Sequence, residues 1–319
     1  MAPLSMAHRT PLLAILGLAF PLLGQGQYFR SSAYWKTHRQ ELSLGVGISN
    51  FLGELGGRDR IGTPFIWDLE MCRTRPSLSA GYRYYLAQTI TLRFSATYAV
   101  LSGDDALTKE PFRQNRNLNF TTDLWEGQLC MEWMPYQERP GHIYDLRGVT
   151  GLAPSRFGLY FFAGVGVFHF DPRTSYNGHL VALQPLGTEG QGLPDGPEEY
   201  SLTQFCIPMG AGVRKGLSKT ITVGLELQYT KTFTDYIDDV SGLYYDRQAI
   251  LDARGPVAAH LSDPSLGDIP GQTATGQERG HSEHNDGYLF LKAQLHYKIY
   301  KSTDNKRYRT RLKKQRIEF

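Results

Sequence analysis

Eight charged residues in this chain are spaced so that they can act together. Glu41, Arg83, Arg93, Glu126, Glu132, Arg214, Glu226 and Lys292 each fall on the polar side of a segment whose alternate residues are apolar. Acids and bases confined to one face can line a path for ions, or pair with one another and close it. The mixture of signs favours a static ion-pair plug over a gate. Asp235, Asp238 and Asp239 offer the several oxygens that a calcium ion takes, but not the spacing or turn glycine of a calcium loop, so loop ion pairs or caps are expected. His281, Glu283 and His284 have the side chains of a metal site within a polar stretch, where a solvated loop is expected. Residues 187–192 (GTEGQG) are glycine-rich but lack the Lys-Ser/Thr of a phosphate loop. No serine, histidine and acid set is placed to hydrolyse or transfer an acyl group. The expectation is therefore no catalytic residue, no metal, no cofactor and no small-molecule substrate.

The elements that must position the charged set read clearly as strands. From Glu41 to Ser49 the even positions are Leu42, Leu44, Val46 and Ile48, and the odd ones are polar or small. Period-2 alternation is the mark of a strand with one face in each of two environments. It returns in segments 77–86, 89–100, 126–133, 159–167, 207–214, 221–229 and 289–299, which makes eight strands, each about as long as a tilted membrane strand. Connections 86–90 and 215–220 are short, and 51–76, 101–118, 171–203 and 230–286 are long. Short turns at one end and long loops at the other are the pattern of outer-membrane barrels. Connection 135–156 breaks the pattern, and reads as an excursion below the membrane. The long last loop has room for a short helix near residues 245–261, and 267–286 reads as flexible.

The fold class expected is all-β: a transmembrane antiparallel up-and-down β-barrel of about eight strands with long extracellular loops. Residues 1–26 read as a secretory signal peptide, because a basic start leads into an apolar run too short to span a membrane, followed by Gly24-Gln25-Gly26. Residues 27–40 are a periplasmic segment, 41–300 the barrel and 301–319 a basic periplasmic tail. The tail carries Arg307, Arg309, Arg311, Lys313, Lys314 and Arg316, either as a solvated extension or as a docking patch for an acidic partner. Mean hydropathy is negative and no helix-spanning apolar run follows the signal, which excludes a helical membrane protein but not a barrel. A net charge of +3 is too small to point to nucleic acid. The three cysteines, Cys72, Cys130 and Cys206, make no complete disulfide set. A soluble lipocalin-like barrel also alternates, with its apolar face inward. Trp125, Trp133, Tyr229 and Tyr297 near strand ends favour the membrane alternative and contact with outer-membrane lipid.

An eight-stranded bore is just wide enough for its own side chains to fill. The hairpin centred on Gln88 places Arg83 and Arg93 opposite each other inside it. Two like charges at that spacing need carboxylates nearby, and Glu126 on the next strand is the expected one. Lys298 joins the inward set.

Several strings carry a resemblance when taken together: YRYYL at 82–86, RNLNF at 116–120, FAGVGVF at 162–168, LQPLGTEGQG at 183–192, YSLTQ at 200–204 and TFTDYIDDVS at 232–241. The set resembles the PorG-like outer-membrane barrels of the type IX secretion system of Bacteroidota, over roughly residues 40 to 300. That resemblance implies a non-enzymatic component of the cell outer membrane that serves protein secretion, and gliding in some relatives. The implied partners are a periplasmic ring lipoprotein and its partner subunit. The runner-up, from another class, is a small channel or transporter.

Overall fold

The computed structural model describes residues 38–53, 55, 74–108, 110–137, 157–218, 220–281 and 285–299. The signal peptide, most of the segment before the barrel, Cys72, Glu283, His284, most of the 135–156 excursion and the basic tail with Arg307 to Arg316 lie outside the described residues.

Among the described residues nine strands follow in chain order: β1 (Gln40–Leu52), β2 (Arg75–Tyr85), β3 (Ile90–Asp104), β4 (Asn119–Tyr136), β5 (Phe157–Tyr176), β6 (His179–Ala182), β7 (Thr203–Gly216), β8 (Ile221–Thr232) and β9 (Gly287–Ile299). Every pairing is antiparallel. β1 pairs with β2 on one side and β9 on the other, from Gln40↔Ile299 to Leu52↔Gly287, so the sheet closes on itself. Eight strands make the ring, and β6 stands outside it, paired to the top of β5 from Arg173↔Ala182 to Tyr176↔His179. Closure leaves no sheet edge at the level of the membrane, which a strand-built membrane protein requires.

The alternation dictates which face points where. Leu44, Val46, Phe94 and Val165 are 64, 60, 57 and 64% exposed on the outside, while Glu41, Arg83 and Glu132 on the opposite face are fully buried. A soluble barrel buries its apolar face. Here that face is the outer surface of the ring strands, as a belt far larger than a soluble monomer exposes. The barrel is therefore built to stand in lipid. Trp133 and Phe161 stack near the short-turn end and Tyr98 packs on Trp125 higher up, so aromatic groups mark two levels of the belt.

The long-loop end departs from the sequence reading in order rather than in position. Connection 171–203 is not open loop: β5 runs on above the ring and folds back through an Asn177-Gly178 turn, both residues at positive φ, into β6. The last loop holds two helices, α2 (Arg247–Arg254) and α3 (Pro256–Ser262), joined at Gly255. A third, α1 (Pro111–Arg116), begins on the Glu110 side-chain cap and ends at Asn117 in the left-handed region. Residues 267–281, read as flexible from composition, are pinned instead. Leu243 bridges Glu278, and backbone bonds join Tyr244 to Gln277 and Arg279 to Gly242.

Candidate functional site

The ring brings the eight charged residues into one buried interior, each at most 2% exposed. Arg83 and Arg93 do face each other across the β2–β3 ladder. Their counter-charges come from three walls. Glu132 on β4 reaches both arginines, at 3.0 and 3.1 Å. Glu41 on β1 meets Arg83 at 3.1 Å and Arg214 at 2.8 Å. Glu226 on β8 bonds Arg93 closely, lies 3.7 Å from Arg83 and 3.4 Å from Lys292, and accepts the Tyr160 hydroxyl at 2.7 Å. The Arg93 guanidinium also lies over the Phe162 ring at 4.2 Å.

Glu126 is not the counter-charge for the arginine pair. It pairs with Thr97, four residues above Arg93 on β3 and so roughly 13 Å along the strand. There it accepts from Gln228, Thr230 and Tyr288. With Glu126 included, four acids (Glu41, Glu126, Glu132, Glu226) stand against four bases (Arg83, Arg93, Arg214, Lys292). A continuous water path through this level would leave some of these atoms accessible, and almost none are. Cys130 and Cys206 are free and buried in the same interior, where each fills space beside a small neighbour, Gly164 and Gly166.

Above the charges the interior turns aromatic. Phe51, Phe120, Leu124, Phe168, Tyr288 and Phe290 form one buried cluster. It runs on without a break into residues of the long loops, Leu55, Leu183, Tyr200, Ile237, Val240 and Leu261. The loops therefore make a cap with its own core over the barrel mouth.

That cap holds a second set of buried charges, unseen in the sequence because its members come from three loops and lie far apart in the chain. Arg279, 3% exposed, pairs with Glu189 at 2.9 Å and donates to the Asp239 carbonyl at 2.6 Å. Asp239 accepts from the Thr188 and Tyr200 hydroxyls, both at 2.6 Å. Burial lifts the Asp239 carboxyl to about 6, against the pull of Arg279, Thr188 and Tyr200. Glu189 accepts the backbone N–H groups of Ser241 and Gly242. Asp238 takes those of Leu55 and Val240. Nearby, Arg116 pairs with Asp105 at 2.7 Å and donates to the Arg279 carbonyl. Asp238 and Asp239, two of the three aspartates weighed as calcium ligands, are thus engaged with backbone and side chains, and Asp235 is buried beside them in sequence. His281 sits exposed beside Glu278 at 2.9 Å. Among the described residues no three His, Cys, Asp or Glu side chains converge as metal ligands would. Residues 187–192 are a turn-rich stretch whose Thr188, Glu189 and Gln191 are buried in the cap.

No family model matches the chain. No curated protein matches it either. Among solved structures it is similar to neisserial surface protein A at 9% identity, covering 82% of this chain and 97% of that one with a TM-score of 0.37. It is similar to Ail, the attachment invasion locus protein of Yersinia pestis, at 9% identity, 82% and 99% coverage and a TM-score of 0.32. It is also similar to the outer-membrane enzyme PagL at 13% identity, 81% and 99% coverage and a TM-score of 0.28. The barrel itself is established by this chain's own closed register, and its place in the outer membrane by the lipid-facing belt around a polar interior.

Proposed function

We propose that the protein is a non-enzymatic assembly component of the type IX secretion machinery, which ties a periplasmic ring lipoprotein and its partner subunit to the outer membrane. The observation that carries the non-transport part is the interior: a charge-matched layer at most 2% exposed, beneath an aromatic layer and a folded cap. A barrel closed at three levels acts through its surfaces and not by passing solute. The secretion role rests on the PorG-like strings, and one feature of the cap supports treating them as a unit. Thr188 and Tyr200, from two of those strings, both bond Asp239 of a third, and Glu189 takes the backbone of Ser241. Residues that match as strings are also residues that hold one another.

The test is to extract the whole protein from outer membranes in mild detergent and identify by mass spectrometry what elutes with it. The reading expects the ring lipoprotein and its partner subunit in stoichiometric amounts. Elution of the barrel alone, under conditions that keep the ring intact, contradicts it.

A further inference from the structure

The cap contains a cavity of about 230 Å³ between the tops of β4 and β5 and the last loop. Its rim is exposed: Asn119, Ser175 and His260. Its floor is buried and mostly apolar, with Leu118, Val240 and Leu261 beside Asp238 and Arg279. We propose that this cavity is a binding site for one neutral, hexose-sized sugar ring presented from outside the cell.

Four features define the ligand. The volume lies below the roughly 300–1,000 Å³ of sites for drug-sized molecules, so a single ring fits and a nucleotide does not. Two aromatic rings line it, Tyr176 and His260, with centroids 5.2 Å apart and planes tilted by 52°. Such a pair offers flat apolar faces to the C–H side of a pyranose. The polar lining can both donate and accept, as vicinal hydroxyls require. Asn117 and Asn119 each carry an amide, with one group of each used within the protein, Nδ2 toward Pro264 and Oδ1 toward Thr174. Finally, the buried Arg279 lines the cavity, and its Nε finds no acceptor among the described residues. A buried guanidinium N–H left unmade is costly, and a ligand hydroxyl or ring oxygen would satisfy it.

The charge around the cavity argues against an anion. The Arg279 guanidinium is already matched by Glu189, and Asp238 stands in the same wall. An added carboxylate or phosphate would meet two acids for one base. Among the described residues no set of His, Cys, Asp or Glu side chains converges there as metal ligands would. The inference is independent of the assembly role, which concerns the opposite end of the barrel.

The test is saturation-transfer NMR on the whole protein with a panel of methyl hexopyranosides at millimolar concentration. Lauryldimethylamine oxide or lipid nanodiscs must replace glycoside detergents, which carry the probe's own chemistry. Tyr176→Ala and His260→Ala remove the aromatic faces at the rim, and Ser175→Trp fills the mouth from an exposed position. The expected result is transfer to ring protons of at least one glycoside, reduced several-fold in all three variants with unchanged thermal unfolding. An oligosaccharide ending in the same sugar distinguishes the sources: equal transfer identifies a glycan terminus, and transfer to the free glycoside alone identifies a free sugar. No transfer from any panel member, or transfer that survives all three variants, overturns the proposal.

Discussion

The barrel interior and the cap both bury charge, but they assemble it differently. In the interior the acids and bases sit on strands, one inward residue in two, and the register of a closed ladder fixes who can meet whom. In the cap, Arg279, Glu189 and Asp239 come from two loops, at positions 40 to 90 residues apart, and depend on backbone groups as much as on each other. The first network is held by the sheet and would survive changes above it. The second is its own scaffold, and each member also holds a loop in place. The comparison predicts that damage to the interior is paid in global stability and damage to the cap in local order.

The largest effect should come from Glu226→Ala. It leaves Arg93, Arg83 and Lys292 short of their shared carboxylate inside the barrel and is expected to cost about 3–5 kcal/mol. The urea midpoint of the detergent-solubilised protein, read by tryptophan fluorescence, measures it. Glu126→Gln is the contrast, since Glu126 serves neutral donors and not the arginine pair; about 1–2 kcal/mol is expected. Equal losses from the two would mean that the arginines draw on Glu126 after all.

The next effect is a pH dependence confined to the cap. The folded Asp239 carboxyl, at about 6, lies above its ordinary 3.8, so its protonated form is the one the fold prefers. The stability linked to it is fully present below pH 3.8 and lost as pH rises through 6, a change of up to about 3 kcal/mol. Amide exchange at residues 187–192 and 237–242, corrected for intrinsic rates, should slow as pH falls from 7 to 5, while exchange in β1 and β9 stays level. Asp239→Asn mimics the protonated form and suits the left-handed backbone there (φ 65°). It should remove the dependence.

Gly103→Ala probes the seam between the two regions. A Cβ at Gly103 would collide with the Leu55 carbonyl, so the first loop must lift from the mouth at about 1–3 kcal/mol. Proteolysis of the cap should rise with little change in the urea midpoint of the barrel. The smallest effect is Gly178→Ala, at positive φ in the β5–β6 turn, expected to cost about 1 kcal/mol and to fray β6 alone by amide exchange.

The same contrast explains what the sequence made legible. Period-2 alternation identified all eight ring strands and their inward residues, because one face of each strand must meet lipid. The hairpin around Gln88 was enough to oppose Arg83 and Arg93, since a tight turn sets register. Strand adjacency alone points to Glu126, but the level along the strand decides: Glu41 is the direct neighbour of Arg83 on β1, Glu132 lies further down β4 at the level of the arginines, and Glu226 reaches Arg93 from across the bore. Nothing periodic links Thr188 to Asp239 or Arg116 to Arg279. Residues 267–281 looked mobile because glycine and polar residues build turns as readily as they build disorder. Long-range loop packing has no signature in spacing, so the cap and its cavity emerge only in the folded chain.

The closed interior is the centre of this account, and single-channel recording tests it most directly. The whole protein, reconstituted into planar bilayers in molar potassium chloride, should give no steps above the bare-membrane baseline, and Glu226→Ala, by opening the charged layer, should give intermittent ones. Steady ohmic conductance from the unmodified protein would contradict the account, and would make it a small channel.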